Sequence, residues 1–359
     1  MSPQPLGVAV AGLGFGEKVH LPALAAAPDL EAVALWHPRQ ERLDAATAAH
    51  GLKGFSDWDA LLADPAVDAV IIATPPAPRF ELARRALEAG KHLLLEKPIA
   101  LHADQARELQ RLALARGLSV AVDYEYRAVP LFMQAARLLQ AGAVGTPWLV
   151  KLDWLMGSRA DPQRGWNWYA QADQGGGVIG ALGTHAMDML AWLIGPLGAV
   201  QALNSVSIKQ RPHPDGGLAA VDASDVSLLQ TVAHWQGRQD LPVPAQVSLS
   251  SVSRNGRGFC LDVVGSSGSL LLSSTNQKDY VHGFELQHAP LGEPFRAVEA
   301  DADFAFSETW ADGRIAPVAR VLGWWAESIR RGQPMLPGLA EGVASRVACD
   351  QAQTSLAHN

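Results

Sequence analysis

Five short apolar runs, "LGVAVAG", "EAVALW", "VDAVIIAT", "HLLLE" and "LSVAV", recur between residues 6 and 122 and alternate with helical patterns. They are rich in Val, Ile and Leu, and successive rather than alternate positions are apolar. Both faces of each strand must then be buried, as in a parallel sheet covered by helices on both sides. Between the runs, Arg79–Ala89 has helical apolar spacing and stops at Gly90; Asp104–Arg116 does the same and stops at Gly117. Glycine most readily adopts the left-handed conformation that closes a helix, and Asp104 sits where the helix dipole favours an acid. Strand–helix–strand alternation with right-handed crossovers predicts a doubly wound parallel α/β sheet over residues 1–123.

From residue 124 the rhythm changes. A helix over Pro130–Ala141 precedes a strand over Trp148–Leu155, then an irregular aromatic stretch with Trp166, Trp168 and Tyr169, then a helix over Thr184–Ile194 stopped by Gly195 and Pro196. Strand-like segments follow at 199–208, 224–235, 244–252, 258–264, 269–273 and 283–288, and helices near 315–331 and 339–356 close the chain. Runs of successive strands predict a large, mainly antiparallel sheet flanked by helices, so residues 124–359 read as an α+β domain for substrate binding and oligomerisation. A sheet with one open face must hide it, which points to a homodimer or homotetramer through that sheet.

Composition narrows the function classes. The 359 residues suit two domains, and 48% apolar with 18% charged residues is an ordinary globular balance. No apolar run reaches the ~18 residues of a membrane helix, and the glycine-broken start reads as a first strand rather than a leader. Cys260 and Cys349 have no ligand spacing and read as inert buried thiols in a reducing cytoplasm. A net charge of −7 argues against nucleic acid. His213, His234, His282 and His288 are scattered, so no metal is assigned.

"VAVAGLGFGEKVHLPAL" places Gly12, Gly14 and Gly16 between the first strand and first helix, with Glu17 at the third glycine site of the usual pattern. Glycines there let the backbone approach a pyrophosphate while helix N–H groups face the anion, the arrangement of a Rossmann dinucleotide-binding domain. NAD binders carry an acid about twenty residues on for the adenosine ribose. Here "VALWHPRQERL" offers His37 and Arg39 instead. These suit a 2′-phosphate, so NADP is expected ahead of NAD; solvated helix-start charge is the other reading of Arg39.

"LLLEKPIALH" ends an apolar run abruptly in Glu96, Lys97 and Pro98, which holds an ammonium at the carboxyl edge of a sheet. Together with "AGLGFGEKVHLPAL", "VDAVIIATPPAPRFELARRALEAGKHLLLEKPIA" and "GGGVIGALGTHAMDMLAWLIGP", it resembles one family: the glucose–fructose oxidoreductase, inositol dehydrogenase and rhizopine-catabolism family of NAD(P)-dependent oxidoreductases. The resemblance implies that Gly12, Gly14, Phe15, Gly16, His37, Arg39, Ala73, Thr74, Pro75, Pro76, Glu96 and Lys97 bind the cofactor. It implies a frequently cis Lys97–Pro98 bond, with Lys97 beside the nicotinamide and the substrate hydroxyl. Hydride loss from an alcohol carbon builds a carbonyl and releases a proton; an ammonium there stabilises the developing charge and relays that proton. The other reading of Lys97 is a simple partner for Glu96 or a phosphate.

The resemblance also implies catalysis by His185 and substrate contacts from Tyr126, Arg127 and His185, with bracing of an interdomain hinge the other reading of Tyr126 and Arg127. In the aromatic run "RGWNWYAQADQGGG" Trp166 suits stacking on a sugar and Arg164 suits holding hydroxyls or a carboxylate, with core filler or an interface loop the other reading of the tryptophans. Relatives carry Asn at Pro76, His at Arg79 and Asp at Ala181. With the last acid gone, His185 acts with Lys97 alone, or Tyr126 or Asp153 substitutes, or the chain is a non-catalytic dinucleotide-binding sensor. Asp188, one turn on, is placed to orient His185. The expected activity is interconversion of a secondary alcohol and a ketone on a sugar, cyclitol or related polyhydroxy compound, either with exchangeable cofactor or with cofactor that never leaves.

Overall fold

The computed structural model describes residues 4–355. The chain divides into two compact units. The first runs to Ala128 and takes in Glu308–Arg346; the second comprises Val129–Ser307 and the chain from Val347.

The first unit is a six-stranded sheet of β1 (Leu6–Ala11), β2 (Leu30–Trp36), β3 (Lys53–Phe55), β4 (Ala69–Ile72), β5 (His92–Leu95) and β6 (Val120–Val122). All pairs are parallel, in the order β3-β2-β1-β4-β5-β6. This is the doubly wound Rossmann order, and it reverses between β1 and β4. Apolar residues on both faces of β1, β4 and β5 bury into two separate cores. The helices are α1 (Leu21–Ala25), α2 (Gln40–His50), α3 (Trp58–Leu62), α4 (Pro76–Glu88) and α5 (Ala103–Arg116). The strand β3 escapes a reading based on periodicity because it is three residues long and largely exposed.

The expected linear division at 123/124 does not provide for the return of Glu308–Arg346 to this unit. The reason is hydrophobic. Ile315, Val318, Val321, Leu322 and Trp325 form one stripe of a later helix, Ile315–Arg331, and that stripe completes the core formed by Val8, Val10, Leu24 and Leu35.

In the second unit α6 (Pro130–Gln140) leads to β7 (Pro147–Leu155) and, after the aromatic stretch, to α7 (Thr184–Leu193). Then come β8 (Gln201–Ser205), β9 (Gln210–Pro212), β10 (Leu218–Ala220), β11 (Val226–His234), β12 (Pro242–Ser250), β13 (Gly258–Gly265), β14 (Gly268–Ser274), β15 (Glu285–Pro290) and β16 (Arg296–Val298). Eight of these strands form one sheet, β16-β15-β14-β13-β7-β12-β11-β8, parallel at β7–β12 and antiparallel elsewhere. β9 and β10 form a separate hairpin. Burial alternates along β11 and β12, with one face inward. On the inner face Phe132 of α6 meets Phe259 and Phe284 at centroid distances of 5.5 and 5.0 Å. The other face carries exposed Leu228, Val232 and Val264 among Lys151, Gln230 and Gln246. The chain ends with α8 (Ile315–Arg331), already met, and α9 (Leu339–Thr354).

Neither cysteine is in a disulfide. Cys349 is buried as expected, but Cys260 is only half-buried, because it points to the open face of β13 beside Asp262. Burial and the Asp262 charge both push its thiol pKa up, so it stays protonated. Among the described residues, no helix is long and apolar enough to cross a membrane.

Candidate active site

The glycine loop follows β1 directly. Gly12 has φ +103°, and a Cβ there would lie 2.7 Å from the Ala73 carbonyl oxygen and 2.9 Å from the Thr74 nitrogen. Only glycine lets this loop pack on the one after β4. Gly14 differs: it is exposed, and a Cβ on it would meet nothing within 4 Å. Gly16 opens a π-helical turn, Gly16–His20, that runs into α1. Phe15 is half-buried, its ring edge-on to His20 at 5.3 Å and 5.1 Å from the Arg314 guanidinium. The Thr74 hydroxyl is buried with no hydrogen-bond partner among the described residues. Open space over Gly14, helix-start N–H groups and a spare donor at Thr74 fit a bound dinucleotide.

At the end of β2, His37 Nδ1 accepts from the Arg39 backbone N–H at 3.1 Å. Burial, and the Arg39 and Arg42 charges, lower the His37 pKa. Arg39 is exposed.

The loops after β4 and β5 are tied together by Arg79 of α4, which is 3% exposed. Its guanidinium donates to the carbonyls of Glu96 (2.7 Å), Pro98 and Thr74. Burial lowers its pKa to about 10, with Glu96 opposing, so it stays cationic. The clamp fixes the backbone on both sides of Lys97, which is half-buried, and the Lys97–Pro98 peptide is cis as the resemblance implies. Pro75 precedes α4 and Pro76 is its first residue; Ala73 is half-buried.

Behind Lys97 lies a cluster of titratable groups. His20 Nε2 is 3.0 Å from Glu96 Oε1 and 3.7 Å from Asp123 Oδ2. Asp123 follows β6, and Glu125 opens a 3-10 turn, Glu125–Ala128. His20, Asp123 and Glu125 are buried. Burial alone would raise the Glu96 pKa; the His20 hydrogen bond and charge, then Lys97 and Arg79, bring it down to about 2. Asp123 goes the other way, raised well above the usual range by burial and by repulsion from Glu96 and Glu125. Its oxygens have no donor in reach among the described residues. A protonated Asp123 therefore donates to Glu96, and an ionised one would be unsolvated. Burial also raises Glu125, against Lys97, to about 7. One ligand atom from each of His20, Glu96 and Asp123 lies within 4.8 Å of the others, a spacing that would admit a cation. Lys97 and Arg79 already balance that charge, so we assign none.

Tyr126 is buried and Arg127 half-buried on the same 3-10 turn. In the second unit a π-helical turn, Ile179–Gly183, contains Ala181 and runs into α7, where His185 and Asp188 are buried. π-Turns concentrate at functional sites. The Trp154 ring lies 6.1 Å from that of His185. Asp153, one of the sequence-based substitutes for the missing acid, points to the opposite face of β7 and pairs with Arg257. It therefore cannot serve His185. Arg164 is exposed and bonds the Ser158 carbonyl at 2.7 Å. The Trp166 indole N–H donates to Ala220 O at 2.8 Å, and its ring meets His213, which ties it to the β9–β10 hairpin.

The sequence reading missed His20, Asp123, Glu125 and the Arg79 clamp. Asp123 and Glu125 had one signal, their place among polar residues at the carboxyl end of β6, where ligands of open parallel sheets collect.

Comparison with known proteins agrees with this fold. Residues 6–124 match an oxidoreductase family described as an NAD-binding Rossmann fold, and residues 136–359 match its C-terminal alpha/beta domain. An uncharacterized oxidoreductase of Synechocystis sp. is 42% identical over 96% of this chain and 92% of its own length. Levoglucosan dehydrogenase of Pseudarthrobacter phenanthrenivorans is 32% identical over 61% of this chain and 58% of its own. A solved levoglucosan dehydrogenase in complex with NADH and L-sorbose superposes with a TM-score of 0.87 at 24% identity, covering 98% of this chain and 97% of that one, which speaks for the fold. The chain thus belongs to the glucose–fructose oxidoreductase, inositol dehydrogenase and rhizopine-catabolism family, and is an NAD(P)-dependent oxidoreductase.

Proposed function

We propose that this protein interconverts a secondary alcohol and a ketone on a sugar, cyclitol or related polyhydroxy compound, with Lys97 handling the proton at the reacting oxygen. The observation that carries this is the placement of Lys97: a half-buried amine in a loop that Arg79 locks from both sides, at the carboxyl end of the sheet that also bears the open glycine loop. Relatives named levoglucosan dehydrogenase and D-glucoside 3-dehydrogenase support the substrate class.

Gly12, Gly14, Phe15 and Gly16 would hold the pyrophosphate, and Ala73, Thr74, Pro75, Pro76 and Glu96 the nicotinamide end. The dinucleotide, when bound, supplies the hydride acceptor or donor. Lys97 takes the hydroxyl proton as the carbonyl forms and returns it in the reductive direction. Tyr126, Arg127, Arg164 and Trp166 bind substrate in this reading, and His185 assists at the oxygen. The cofactor residues all lie in the first unit, whereas the proposed substrate residues come from both, Tyr126 and Arg127 from the first and Arg164, Trp166 and His185 from the second.

NADP is the preferred cofactor in this reading. No acid stands at the end of β2, and His37 with the exposed Arg39 would receive a 2′-phosphate. The exposed apolar residues of the eight-stranded sheet support a homodimer or homotetramer built on that face. Sedimentation of Leu228→Arg beside the parent tests it: an unchanged oligomer would refute this interface.

The activity is tested by screening polyhydroxy compounds for absorbance change at the reduced nicotinamide band, with dinucleotide binding measured calorimetrically. Turnover of one class supports the proposal. Tight dinucleotide binding without turnover across the panel rejects it.

A further inference from the structure

The second unit gathers positive charge on one turn, although the chain as a whole carries a net charge of −7. The successive carbonyls of Ser158, Arg159, Ala160 and Asp161 all accept from guanidinium groups. Arg164 donates to Ser158 O at 2.7 Å, Arg211 to Arg159 O at 2.7 Å and to Asp161 O at 2.8 Å, and Arg254 to Ala160 O at 2.9 Å. Arg159 is the remaining cation of the group. It is half-buried, and its guanidinium lies 3.4 Å from the centroid of the Tyr169 ring. The turn is anchored at the end of the sheet where Trp154 meets His185. The backbone N–H of Met156 donates to Ser250 O and that of Arg159 to Ser251 O, both at 2.8 Å, and the Trp154 ring lies 6.1 Å from that of His185.

These cations have neutral partners. Among the described residues none of the four is in an ion pair. Arg164, Arg211 and Arg254 bond carbonyls, and Arg159 bonds the Tyr169 phenol, which burial keeps un-ionised by raising its pKa. The nearby carboxylates are engaged elsewhere. Asp225 accepts from the backbone N–H groups of Ser207 (2.8 Å) and Ile208 (2.9 Å), and Asp161 from that of Gln163 (2.9 Å). Burial, with repulsion from Arg164 and Arg211, lowers the Arg159 pKa to about 10 against the pull of Tyr169, so Arg159 stays cationic. A half-buried cation set among like charges, with a neutral partner, is destabilising until a counter-charge arrives. Anchoring the turn accounts for Arg211 and Arg254. It does not account for Arg159, whose guanidinium bonds none of these carbonyls.

We propose that Arg159 and Arg164 bind an oxyanion carried by the substrate, a carboxylate or a phosphate ester, so that the polyhydroxy compound is an acidic one; this deepens the reading given above and rests on it. The planar fork of a guanidinium matches the paired oxygens of either group. Arg159, fixed against Tyr169, supplies the fork, and Arg164, exposed on the same turn, adds a second charge. Arg211, 4% exposed, holds the turn from the β9–β10 hairpin and adds to its positive field. No bond is made or broken here. The acid is held equally before and during the reaction, so the site acts on KM and leaves kcat nearly unchanged.

The test uses the full chain and extends the polyhydroxy panel with D-glucuronate and D-glucose 6-phosphate beside neutral D-glucose. Malonate and inorganic phosphate, titrated calorimetrically at constant ionic strength, probe the site without catalysis and tell a carboxylate site from a phosphate site. The proposal predicts turnover of acidic members of the panel, with KM at least about tenfold below that of their neutral counterparts, and saturable binding of malonate or phosphate. Arg159→Gln should weaken that binding and raise KM for the acidic compound about tenfold, with kcat nearly kept; Arg164→Ala should do so about threefold. Neutral compounds used as well as acidic ones, no binding of either anion, or equal anion binding by parent and Arg159→Gln overturns the proposal. Should Arg159→Gln not fold, Arg159→Lys, which keeps the charge and loses the fork, and Arg164→Ala decide by the same titrations. The two failures are distinguishable. Turnover of neutral compounds with no preference for acids removes this inference and leaves the dehydrogenase. Anion binding that Arg159→Gln abolishes, beside no turnover across the whole panel, removes the dehydrogenase reading and the substrate assignment with it.

Discussion

His20 Nε2 lies 3.0 Å from Glu96 Oε1 although 76 residues separate them in sequence. The contact joins the helix that follows the glycine loop to the loop that carries Lys97. It thereby couples the two parts of the sheet on which a dinucleotide reading depends, and it keeps Glu96 ionised in a setting where burial alone would protonate it.

Gly12 and Gly14 should behave differently under the same substitution. Gly12→Ala forces a Cβ to 2.7 Å from a carbonyl oxygen at φ +103°. It should cost about 1–3 kcal/mol from the backbone conformation alone, read by denaturant unfolding. Gly14→Ala should change stability by no more than about 0.5 kcal/mol yet weaken dinucleotide binding about tenfold or more, some 1.4 kcal/mol. Equal binding by parent and Gly14→Ala would move the pyrophosphate elsewhere.

Arg79 should be a stability determinant. Arg79→Met leaves three carbonyls, of Thr74, Glu96 and Pro98, without their donor. A buried acceptor left unsatisfied costs about 1–3 kcal/mol, so a loss of about 3 kcal/mol or more is expected in chemical denaturation. Arg79→Lys should recover part of it, since one ammonium cannot span all three. A variant as stable as the parent would contradict the clamp.

Cofactor choice should follow Arg39 and pH. Arg39→Ala should weaken NADPH about tenfold and leave NADH unchanged. Burial, then the Arg39 and Arg42 charges, hold the His37 pKa below its ordinary 6.5, and a 2′-phosphate would raise it. NADPH binding should then take up a proton and tighten as pH falls towards 6.5, while NADH binding stays flat. Calorimetry in buffers of different ionisation enthalpy reads this directly.

Glu125 should shape stability against pH. Its folded pKa of about 7 stands above the ordinary 4.5, so between those values the folded chain binds a proton that the unfolded chain does not. That stability is complete below pH 4.5 and is lost as pH rises to about 7, by an amount on the order of 3 kcal/mol. Glu125→Gln should flatten the corresponding fall in the unfolding midpoint. An equally steep fall in the variant would assign the titration to another group.

The parallel sheet was legible in the sequence because β1, β4 and β5 are apolar at successive positions, which only two-sided burial explains. The glycine loop and Lys97 were legible because motif and strand end coincide. β3, β9, β10 and β16 were not, since three residues carry no measurable period. The return of α8 to the first unit was hidden because an amphipathic helix shows that it needs a core but not which one. His20, Asp123 and Glu125 were hidden for a similar reason: each is an unremarkable polar residue until the sheet order brings β1, β5 and β6 together.

The most direct test of the whole account is the turnover of Lys97→Met on the compound that the parent oxidises or reduces, measured at the nicotinamide absorbance with saturating dinucleotide. The account predicts a fall of at least about 10²-fold in a variant whose dinucleotide affinity is unchanged. Undiminished turnover in Lys97→Met would contradict it.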